Sequence, residues 1–386
     1  MTIAFWALAA LALTTAFAQF TSAWRVRRYY RPIDSDVPTE RKPVSVLVAL
    51  AGRARGRDER LGALVRATRE GDQLLLALET ADDPAHGAAT DLRRAHPERD
   101  IAIVLAGPAG ARQHKQHALA AALPHAVHAL VAGMDEDVEL EGPNVDEGVR
   151  LAGVPNAGAV FAIPYYAGSG LPGGALVAAY ANYGFGPAMA SLAIQGAPRF
   201  ILGSFWVAQR HALEVAGGFE PHARSLSDDV SIGRALHATG RRNRPMRRPV
   251  RLAYPPLHLA AGAHQVRTSL TLLRARGGGL FGVIAIAWNA LALALSATLI
   301  AAATPSVTAA SAAATVASVV VLRTAAVVVL NRGVYRALGR ARFLASTLLY
   351  EALVAPWLYA LAAFRRDVVW RGRHYRIGSG GVITDA

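Results

Sequence analysis

Two hydrophobic patterns divide the chain. Long uncharged runs lie near both ends, and between them short apolar runs alternate with stretches of mixed polarity. The short runs have the length of buried β-strands, and the mixed stretches have the spacing of amphipathic helices. Such alternation is typical of a mostly parallel α/β sheet. The predicted strands are 44–50, 73–78, 101–105, 126–132, 159–163 and 201–208, and the predicted helices are 57–67, 88–96, 113–123 and 231–238.

The apolar run at the start predicts a membrane anchor at residues 1–24, which carry no charge. A run of this length spans a bilayer as a helix. The alternative is a cleaved signal peptide, because residues 16–18 resemble a cleavage site. The start has no basic n-region, and positive charge follows the run, so we expect an anchor with its basic end in the cytoplasm. The arginines that follow are Arg25, Arg27, Arg28 and Arg31.

Apolar segments near the other end predict further membrane helices. Pro305 divides an uncharged run into 280–303 and 307–322, and the second part continues to Leu330. We expect these two parts to form a helical hairpin. A third segment, 343–364, precedes a basic stretch. The predicted divisions are an anchor at 1–24, a sheet domain at 43–277, membrane helices at 278–364 and a basic cytoplasmic tail at 365–386.

Two ionisable residues interrupt the C-terminal segments. Arg323 lies in the second segment and Glu351 in the third. Such groups seldom persist in lipid without a partner, so we predict that they form an ion pair. The alternative is that Arg323 reaches the membrane surface and Glu351 lies in an interfacial helix. Three complete C-terminal spans would place the tail outside, whereas a re-entrant or surface-lying third segment keeps it inside.

A central run, 151–198, is also uncharged. A span near 175–194 is possible by length, but polar residues, glycines and a proline interrupt it, and irregular backbone is costly in lipid. We therefore expect an element that is buried in protein or lies on the membrane surface. The interrupting residues are Asn182, Gly184, Gly186 and Pro187.

Composition and charge favour a membrane protein. Of the 386 residues 53% are hydrophobic, and the formal net charge is +14. The arginine clusters lie beside apolar segments and not among aromatic residues, so we expect an anionic membrane surface as partner and no nucleic acid. The absence of cysteine excludes disulfides and thiolate metal sites. No G-x-G-x-x-G follows the first strand and no P-loop motif is present, which disfavours a dinucleotide fold and a P-loop enzyme.

Two acidic signatures carry the candidate chemistry. Asp135 and Asp137 follow an apolar run, and Asp228 and Asp229 lie further along the chain. Carboxylates at the carboxyl end of a buried strand are a usual site for a Mg²⁺ or Mn²⁺ ion that carries a phosphorylated substrate. A carboxylate at a helix start can act as a general base. The alternatives are an acidic turn after the strand, and a helix capped by Ser227 with acids in its first turn.

Several short motifs follow one another at defined spacing. They are Pro43-Val44-Ser45-Val46-Leu47, Asp82-Asp83-Pro84-Ala85, Lys115 within Gln-His-Lys-Gln-His, residues 133–140, Leu202-Gly203-Ser204, Ala216-Gly217-Gly218-Phe219, Ser227-Asp228-Asp229, Arg267 and residues 370–376. In this order they resemble the ceramide glucosyltransferase group of the family 2 glycosyltransferases, including bacterial members that act on sphingoid or hopanoid lipids. The resemblance covers roughly 43–277 and extends to the tail.

The resemblance implies a GT-A fold, a nucleotide-sugar donor and inverting transfer. It implies that Asp135 and Asp137 bind the metal and the diphosphate, and that Asp229 is the catalytic base. Lys115 lies where the family has a donor-site lysine, and the alternative is a solvated helix residue. The remaining candidates are Thr80, Asp83 and His264 for donor binding and Asp228 and Arg267 for catalysis.

Three positions depart from the family pattern. The aspartate that usually ends the second strand, near the nucleobase, is replaced by Thr80, with Glu79 beside it. The Q/R-x-x-R-W motif reads His264-Gln265-Val266-Arg267-Thr268, so its tryptophan is missing. The usual Glu-Asp pair is Asp228-Asp229.

Other polar residues near these motifs have simpler interpretations. Asp83 fits a turn before Pro84. The arginines within 53–57 fit a solvated loop after the first strand. His114 and His117 have no acidic residue nearby in the sequence and are predicted to be surface histidines.

These observations predict a multi-pass glycosyltransferase of the inner (plasma) membrane with a cytoplasmic catalytic domain. It would transfer a sugar from a UDP-sugar to the hydroxyl of a ceramide- or hopanoid-like lipid, with Mg²⁺ or Mn²⁺ as cofactor. One alternative is transfer to a polyprenyl phosphate or a polysaccharide. Another is a non-catalytic family member that binds lipid or nucleotide, which Thr80 and Thr268 suggest.

Overall fold

The computed structural model describes residues 1–30, 41–167, 171–253, 257–335, 341–370 and 373–384. Arg31, Arg371 and Gly372, which belong to two of the predicted motifs, lie outside the described residues. The strands are β1 Val44–Ala49, β2 Gln73–Leu78, β3 Asp100–Leu105, β4 Leu130–Met134, β5 Val138–Glu139, β6 Ala157–Phe161, β7 Pro164–Tyr166, β8 Phe205–Gln209, β9 Arg242–Pro245, β10 Val250–Leu252, β11 Asp367–Trp370, β12 Arg373–Ile377 and β13 Ile383–Thr384. The helices are α1 Thr2–Tyr29, α2 Arg57–Ala67, α3 Ala85–Ala95, α4 His114–Ala122, α5 Gly142–Ala152, α6 Pro172–Tyr180, α7 Gly186–Ile194, α8 Arg210–Val215, α9 Asp228–Ala238, α10 Leu259–Gly277, α11 Leu280–Ala287, α12 Ala290–Ala302, α13 Ala309–Leu330, α14 Ala341–Leu349 and α15 Ala355–Phe364.

A seven-stranded sheet in the order β3-β2-β1-β4-β8-β6-β9 forms the centre of the molecule. Among its described strands, every neighbouring pair is parallel except those that β8 forms with β4 and β6. The predicted α/β fold with a mostly parallel sheet is therefore confirmed. β2 and α2 have the predicted bounds. β2 is apolar on both faces, and polar residues flank both elements, so their ends are clear in the sequence.

The predicted strand 126–132 is displaced toward the C-terminus and becomes β4. Pro124 lies in a 3₁₀ turn, Leu123–His125, which ends just before the predicted start of the strand. The backbone N–H of Val127 then donates to the Gln73 side chain at 3.1 Å, so it does not join the ladder. β8 also begins later than predicted, because residues 202–204 form a loop beside the end of β4.

Helices cover both faces of the sheet. On one face Val46 packs in a cluster with Leu64 of α2 and Val145 of α5. On the other face Leu47 packs in a cluster with Leu119 of α4 and Ala326 of α13. The long apolar helix α13 therefore shares one hydrophobic core with the sheet.

Three described helices are long and apolar enough to cross a membrane: Thr2–Tyr29, Ala309–Tyr335 and Leu344–Phe364. The pair α11 and α12 passes the same test together but is bent by 80°. The prediction of one continuous helix at 280–303 is therefore wrong. The bend falls at Trp288 and Asn289, and the Asn289 side chain donates to the carbonyl of Ala285.

The ends of these helices define two sides of the molecule. At the start of α1, the Thr2 hydroxyl lies 2.5 Å from that of Ser306, in the loop between α12 and α13. α1 is about 42 Å long at 1.5 Å per residue, and its other end leads to the sheet domain. The third of these helices, Leu344–Phe364, begins nine residues after Tyr335, whose hydroxyl donates to the Asn182 carbonyl. It ends just before β11. Both of its ends therefore lie on the side of the sheet domain.

Residues 365–386, predicted as a basic tail, form structure in their described part. β11, β12 and β13 make a three-stranded antiparallel sheet. Val368 and Tyr375 of this sheet pack in one cluster with Leu226, just before α9, and Ser225 pairs with Val382. The tail is therefore joined to the sheet domain.

The predicted ion pair between Arg323 and Glu351 is confirmed. Arg323 Nη2 lies 2.5 Å from Glu351 Oε1, and Arg323 Nε donates to Oε2 at 2.9 Å. The two side chains are 1% and 2% exposed. The guanidinium does not extend to the surface, so the alternative for Arg323 is wrong.

Arg323→Ala or Glu351→Ala alone should each lower the free energy of unfolding by about 3–5 kcal/mol, because each leaves an uncompensated buried charge. The double substitution should cost less than the sum of the two. The measurement is a double-mutant cycle of unfolding in detergent. Strictly additive losses would show that the two charges do not interact.

Candidate active site

A cavity of about 720 Å³ lies at the carboxyl ends of β1, β2 and β4. Polar and apolar side chains both line it, and six of the apolar ones pack in one cluster around Val177, Tyr180 and Val266. The polar side chains are those of Glu79, Thr80, Asp82, Asp83, Lys115, Asp135, Asp137, Asp228, Asp229, Arg276 and Arg373. The apolar side chains are those of Tyr166, Val177, Tyr180, Phe185, Met189, Phe200, Leu202, Val266, Leu272 and Leu273.

The two acidic signatures meet in this cavity because three elements converge there. Asp135 follows β4, and its backbone N–H donates to the carbonyl of Ser204 at 2.9 Å. Asp228 and Asp229 begin α9. Between them, Gly203 lets the backbone pass closely, because a Cβ at this position would lie 3.2 Å from the Asp229 Cβ.

Lys115 connects the two signatures. Its Nζ lies 2.7 Å from Asp135 Oδ1 and 3.3 Å from Asp228 Oδ2. Burial works to lower the pKa of Lys115, but the charges of Asp135 and Asp228 outweigh it and raise the pKa well above its ordinary value. The side chain is 20% exposed, so the alternative of a solvated helix residue is wrong.

The first turn of α9 holds two carboxylates with different surroundings. Asp228 accepts a hydrogen bond from the Gln116 side chain and pairs with Lys115. Burial, together with the charge of Asp228, raises the pKa of Asp229 to about 6, against the opposing effect of Lys115. A carboxyl group with such a pKa is ionised near neutral pH and remains a stronger base than an ordinary aspartate.

The start of α9 is not held by the predicted cap. Ser227 occupies the cap position, but its hydroxyl makes no capping hydrogen bond. Arg276 of α10 instead donates to the Ser227 carbonyl and, at 3.0 Å, to the Ser225 hydroxyl. Burial lowers the pKa of Arg276, while Asp229 raises it in part. Arg276 therefore brings positive charge to the start of α9, where it acts on Asp229, and no motif in the sequence indicates this.

Glu79 and Thr80 follow β2, at the place where the family pattern has an aspartate. Glu79 Oε1 lies 2.8 Å from His114 Nδ1 and accepts from Arg373 at 2.9 Å. Burial raises the pKa of Glu79, but the hydrogen bonds from His114, Ala109 and Arg373 outweigh it and lower the pKa. Thr80 lines the cavity beside this group.

The prediction that His114 and His117 are surface residues is wrong. They are 9% and 7% exposed. His114 Nε2 lies 3.0 Å from the Leu50 carbonyl, and His117 Nε2 lies 3.0 Å from that of Gly107. The acidic partner of His114, Glu79, is distant in the sequence and could not be found by spacing.

Asp83 has the turn role that its sequence context suggested. Its carboxylate accepts from the Ala85 N–H at 2.8 Å and also from the Gly52 N–H at 2.8 Å. It thus joins the loop after β1 to the turn before α3, while it also lines the cavity. Arg57 was predicted in a solvated loop, but it is buried and pairs with Glu136 at 3.0 Å.

Arg267 and His264 lie on α10 but are not among the residues that line the cavity. Arg267 Nη2 lies 3.0 Å from His264 Nδ1, and His264 Nε2 lies 3.4 Å from the Val369 carbonyl. Gln265, two residues from Arg267, faces the cavity instead.

The residues at the end of β4 are suited to a metal bound together with substrate. Among the described residues no group of three or more His, Asp or Glu side chains could hold a metal ion. Asp135 and Asp137 both line the cavity. Mg²⁺ is commonly held by one or two carboxylates together with substrate phosphates and water, so this donor set fits such an ion.

A family model described as Glycosyl transferase family 21 matches residues 4–383. This match agrees with the resemblance to ceramide glucosyltransferases. No curated protein matches the chain.

A solved mannosyltransferase has a similar fold. The mannosyltransferase PcManGT from Pyrobaculum calidifontis, in complex with GDP-Man and Mn²⁺, aligns with a TM-score of 0.51 and 20% identity, over 92% of this chain and 98% of that one. TarS residues 1–349 from S. aureus align with a TM-score of 0.39 and 12% identity, over 89% of this chain and 99% of that one. The first similarity confirms the predicted GT-A fold.

Proposed function

The chain belongs to glycosyl transferase family 21 and is a glycosyltransferase, and we propose that it transfers a sugar from a UDP-sugar to the hydroxyl of a membrane lipid. The observation that supports this is that one cavity combines a set of charged side chains with a cluster of apolar ones. Acidic residues and Lys115 belong to the charged set, and aromatic and aliphatic side chains form the apolar cluster. A nucleotide-sugar fits the charged set, and a lipid with a hydroxyl headgroup fits the apolar cluster.

The proposed reaction begins when Asp229 takes the proton from the acceptor hydroxyl. The acceptor oxygen then attacks the anomeric carbon from the face opposite the nucleotide, and the bond between this carbon and the diphosphate oxygen breaks. The configuration is inverted, and UDP leaves. The raised pKa of Asp229 makes it a stronger base, and Asp228 and Lys115 hold the start of α9 in position.

The donor diphosphate would lie beside Asp135, Asp137 and Lys115. A Mg²⁺ or Mn²⁺ ion at the two aspartates would neutralise charge on the diphosphate. The Lys115 ammonium lies 2.7 Å from Asp135, so it is also placed to face this charge. Glu79 and Thr80 lie where the donor base is expected. Both oxygens of Glu79 already accept hydrogen bonds, Oε1 from His114 and Arg373 and Oε2 from the Ala109 N–H and Arg373, so the hydroxyl of Thr80 would bond to the base.

We further propose that α1, the pair α11 and α12, and α13 cross the plasma membrane, and that the sheet domain is cytoplasmic. The contact between Thr2 and Ser306 places the far ends of these helices together. The α14–α15 segment would lie at the membrane surface on the cytoplasmic side, because both its ends lie there. Trp357 and Phe364 of α15 are 73% and 89% exposed and would face lipid.

Membranes containing the protein should transfer radiolabel from UDP-glucose or a UDP-N-acetylhexosamine into a lipid extract. Asp229→Asn should reduce this transfer by about 10²- to 10⁴-fold, because it removes the base with little change in shape. Wild-type kcat/KM should fall as the pH drops below about 6, since protonated Asp229 cannot accept a proton.

The control is Asp82→Asn, an exposed carboxylate that lines the same cavity. Near-normal transfer by Asp229→Asn would refute the assignment of the base. Label in a polyprenyl phosphate or a polysaccharide would identify the alternative acceptors. Transfer from GDP-mannose in place of a UDP-sugar would correct the donor, and no transfer from any donor would support the non-catalytic alternative.

Asp137→Asn should weaken the Mn²⁺-dependent binding of UDP, because it removes one of two charged metal ligands. Isothermal titration calorimetry with and without Mn²⁺ measures this difference. Asp137 is the clearer test, since Asp135→Asn also removes a partner of Lys115. If UDP binds equally with and without Mn²⁺ in the wild type and the variant, the metal does not bind here.

Single cysteines can test the proposed topology, because the chain has none of its own. Arg55→Cys and Arg242→Cys, both at exposed positions of the sheet domain, should resist a membrane-impermeant thiol reagent in intact cells. Ser306→Cys should react, since it would lie outside. The reverse pattern of labelling would overturn the orientation.

A further inference from the structure

The apolar wall of the cavity is a helix that contains one extra residue. α6 continues through a π turn, Ala181–Phe185, into α7. Val177 and Ala181 line the cavity in the first half of this helix. Phe185 and Met189 line it in the second half. The cavity face therefore continues through the π turn at a spacing of four residues.

The extra residue determines which side chains form this wall. An α-helix turns by about 100° per residue, so one inserted residue rotates everything after it by about that angle. Without the π turn, Gly184 and Ala188 would occupy the centre of the cavity face. Phe185 and Met189 would turn away from it. The π turn thus replaces two small residues of the wall by two large apolar ones.

Two backbone carbonyl groups of this segment lack their usual helical partners, one because of the π turn and one because of Pro187. The N–H of Gly186 donates to the carbonyl of Ala181, five residues earlier, and so not to that of Asn182. Pro187 has no N–H, so the carbonyl of Tyr183 also lacks its usual helical donor. An unpaired carbonyl group in apolar surroundings destabilises the protein unless another hydrogen-bond donor reaches it.

Side chains from the membrane helices supply the missing donors. The hydroxyl of Tyr335 donates to the Asn182 carbonyl at 3.0 Å. Arg323 Nη2 donates to the Tyr183 carbonyl at 3.1 Å, and Glu351 balances the charge of this arginine. Both donors come from α13 and its continuation, which also pack against the sheet domain.

Two further contacts join the π turn to its surroundings. The Asn182 side chain accepts from the Tyr166 N–H at 2.9 Å and donates to the Tyr166 carbonyl at 2.8 Å. The Tyr183 hydroxyl donates to Asn331 Oδ1 at 2.5 Å. Because Tyr166 also lines the cavity, the network connects the membrane helices to two parts of the wall.

We propose that Tyr335, Arg323 and Glu351 are positioning residues for the lipid acceptor. By satisfying the two carbonyl groups they hold the π turn, and the π turn presents Phe185 and Met189 to the acceptor chain. This inference rests on the proposed function, since it assigns the apolar wall to the acceptor. Donor binding, at the charged side chains of the cavity, should not depend on this network.

Tyr335→Phe tests the proposal with the loss of a single hydroxyl. With a fluorescent short-chain ceramide as acceptor, the KM for this lipid should rise roughly three- to tenfold, the effect of one buried hydrogen bond, while the KM for the donor stays unchanged. The matched control is Tyr359→Phe. Tyr359 is a buried tyrosine of α15 whose hydroxyl has no hydrogen-bond partner in the described part of the chain.

A second variant removes both charges of the network. Arg323→Met combined with Glu351→Met keeps similar side-chain volumes and leaves no unpaired buried charge, so the protein should remain folded. The double variant removes the hydrogen bond that Arg323 donates to the Tyr183 carbonyl. The KM for the ceramide should rise in this variant as well, again without a change in the KM for the donor.

A spectroscopic readout tests the wall independently of turnover. Trp288 packs edge to face on Phe185, with ring centroids 5.8 Å apart. In protein labelled with 5-fluorotryptophan, the ¹⁹F signal of Trp288 should shift in Tyr335→Phe and stay in place in Tyr359→Phe. Trp288→Phe assigns the signal.

The two readouts separate failure of this proposal from failure of the proposed function. If the wild type does not glycosylate the ceramide, the lipid assignment fails, and the fluorine shift alone decides whether the network holds the wall. An unshifted Trp288 signal, or kinetics equal to those of Tyr359→Phe, would overturn the proposal. Equal increases in both KM values would also overturn it, since they would indicate a general structural role.

Discussion

The ammonium group of Lys115 stabilises the cluster of carboxylates in the candidate active site. Three carboxylates, Asp135, Asp228 and Asp229, face one buried region, and their mutual repulsion opposes folding. Lys115 lies between the first two, and its contacts connect the end of β4 to the start of α9. In the proposed reaction the same charge also faces the diphosphate of the donor. A group that stabilises the folded protein would then also bind substrate.

Two other ion pairs, one buried and one partly exposed, connect elements in the same way. Arg57 of α2 pairs with Glu136 after β4, and Glu79 after β2 joins Arg373 of β12. Each pair links segments that are far apart in the sequence, at the edge of the sheet where the strands end. Since removing Arg57 would leave a buried charge on Glu136, that pair favours one arrangement of α2 and β4 over others. The backbone around the cavity is therefore fixed by charge as much as by apolar packing.

Sequence reasoning found the sheet and the acidic residues but not their neighbours. Strands such as β2 were predictable because they are apolar on both faces and end at polar residues. Arg323 and Glu351 were predictable because a charge in an apolar segment needs a partner. His114 and Arg276 were missed, since their partners lie in distant segments. The π turn was visible only as an interruption by Asn182, glycines and Pro187, and its role depends on donors from α13.

The three-stranded sheet formed by β11, β12 and β13 sets an order for biosynthesis. Arg373 and Tyr375 line the cavity, and Val382 pairs with Ser225 beside the start of α9. These residues leave the ribosome after every apolar helix of the chain. The large sheet can therefore fold early, whereas its cavity is completed only after the C-terminal apolar helices have been synthesised. A chain that is cut short after α15 would keep its acidic residues but would lack the part of the cavity wall that Arg373 and Tyr375 form.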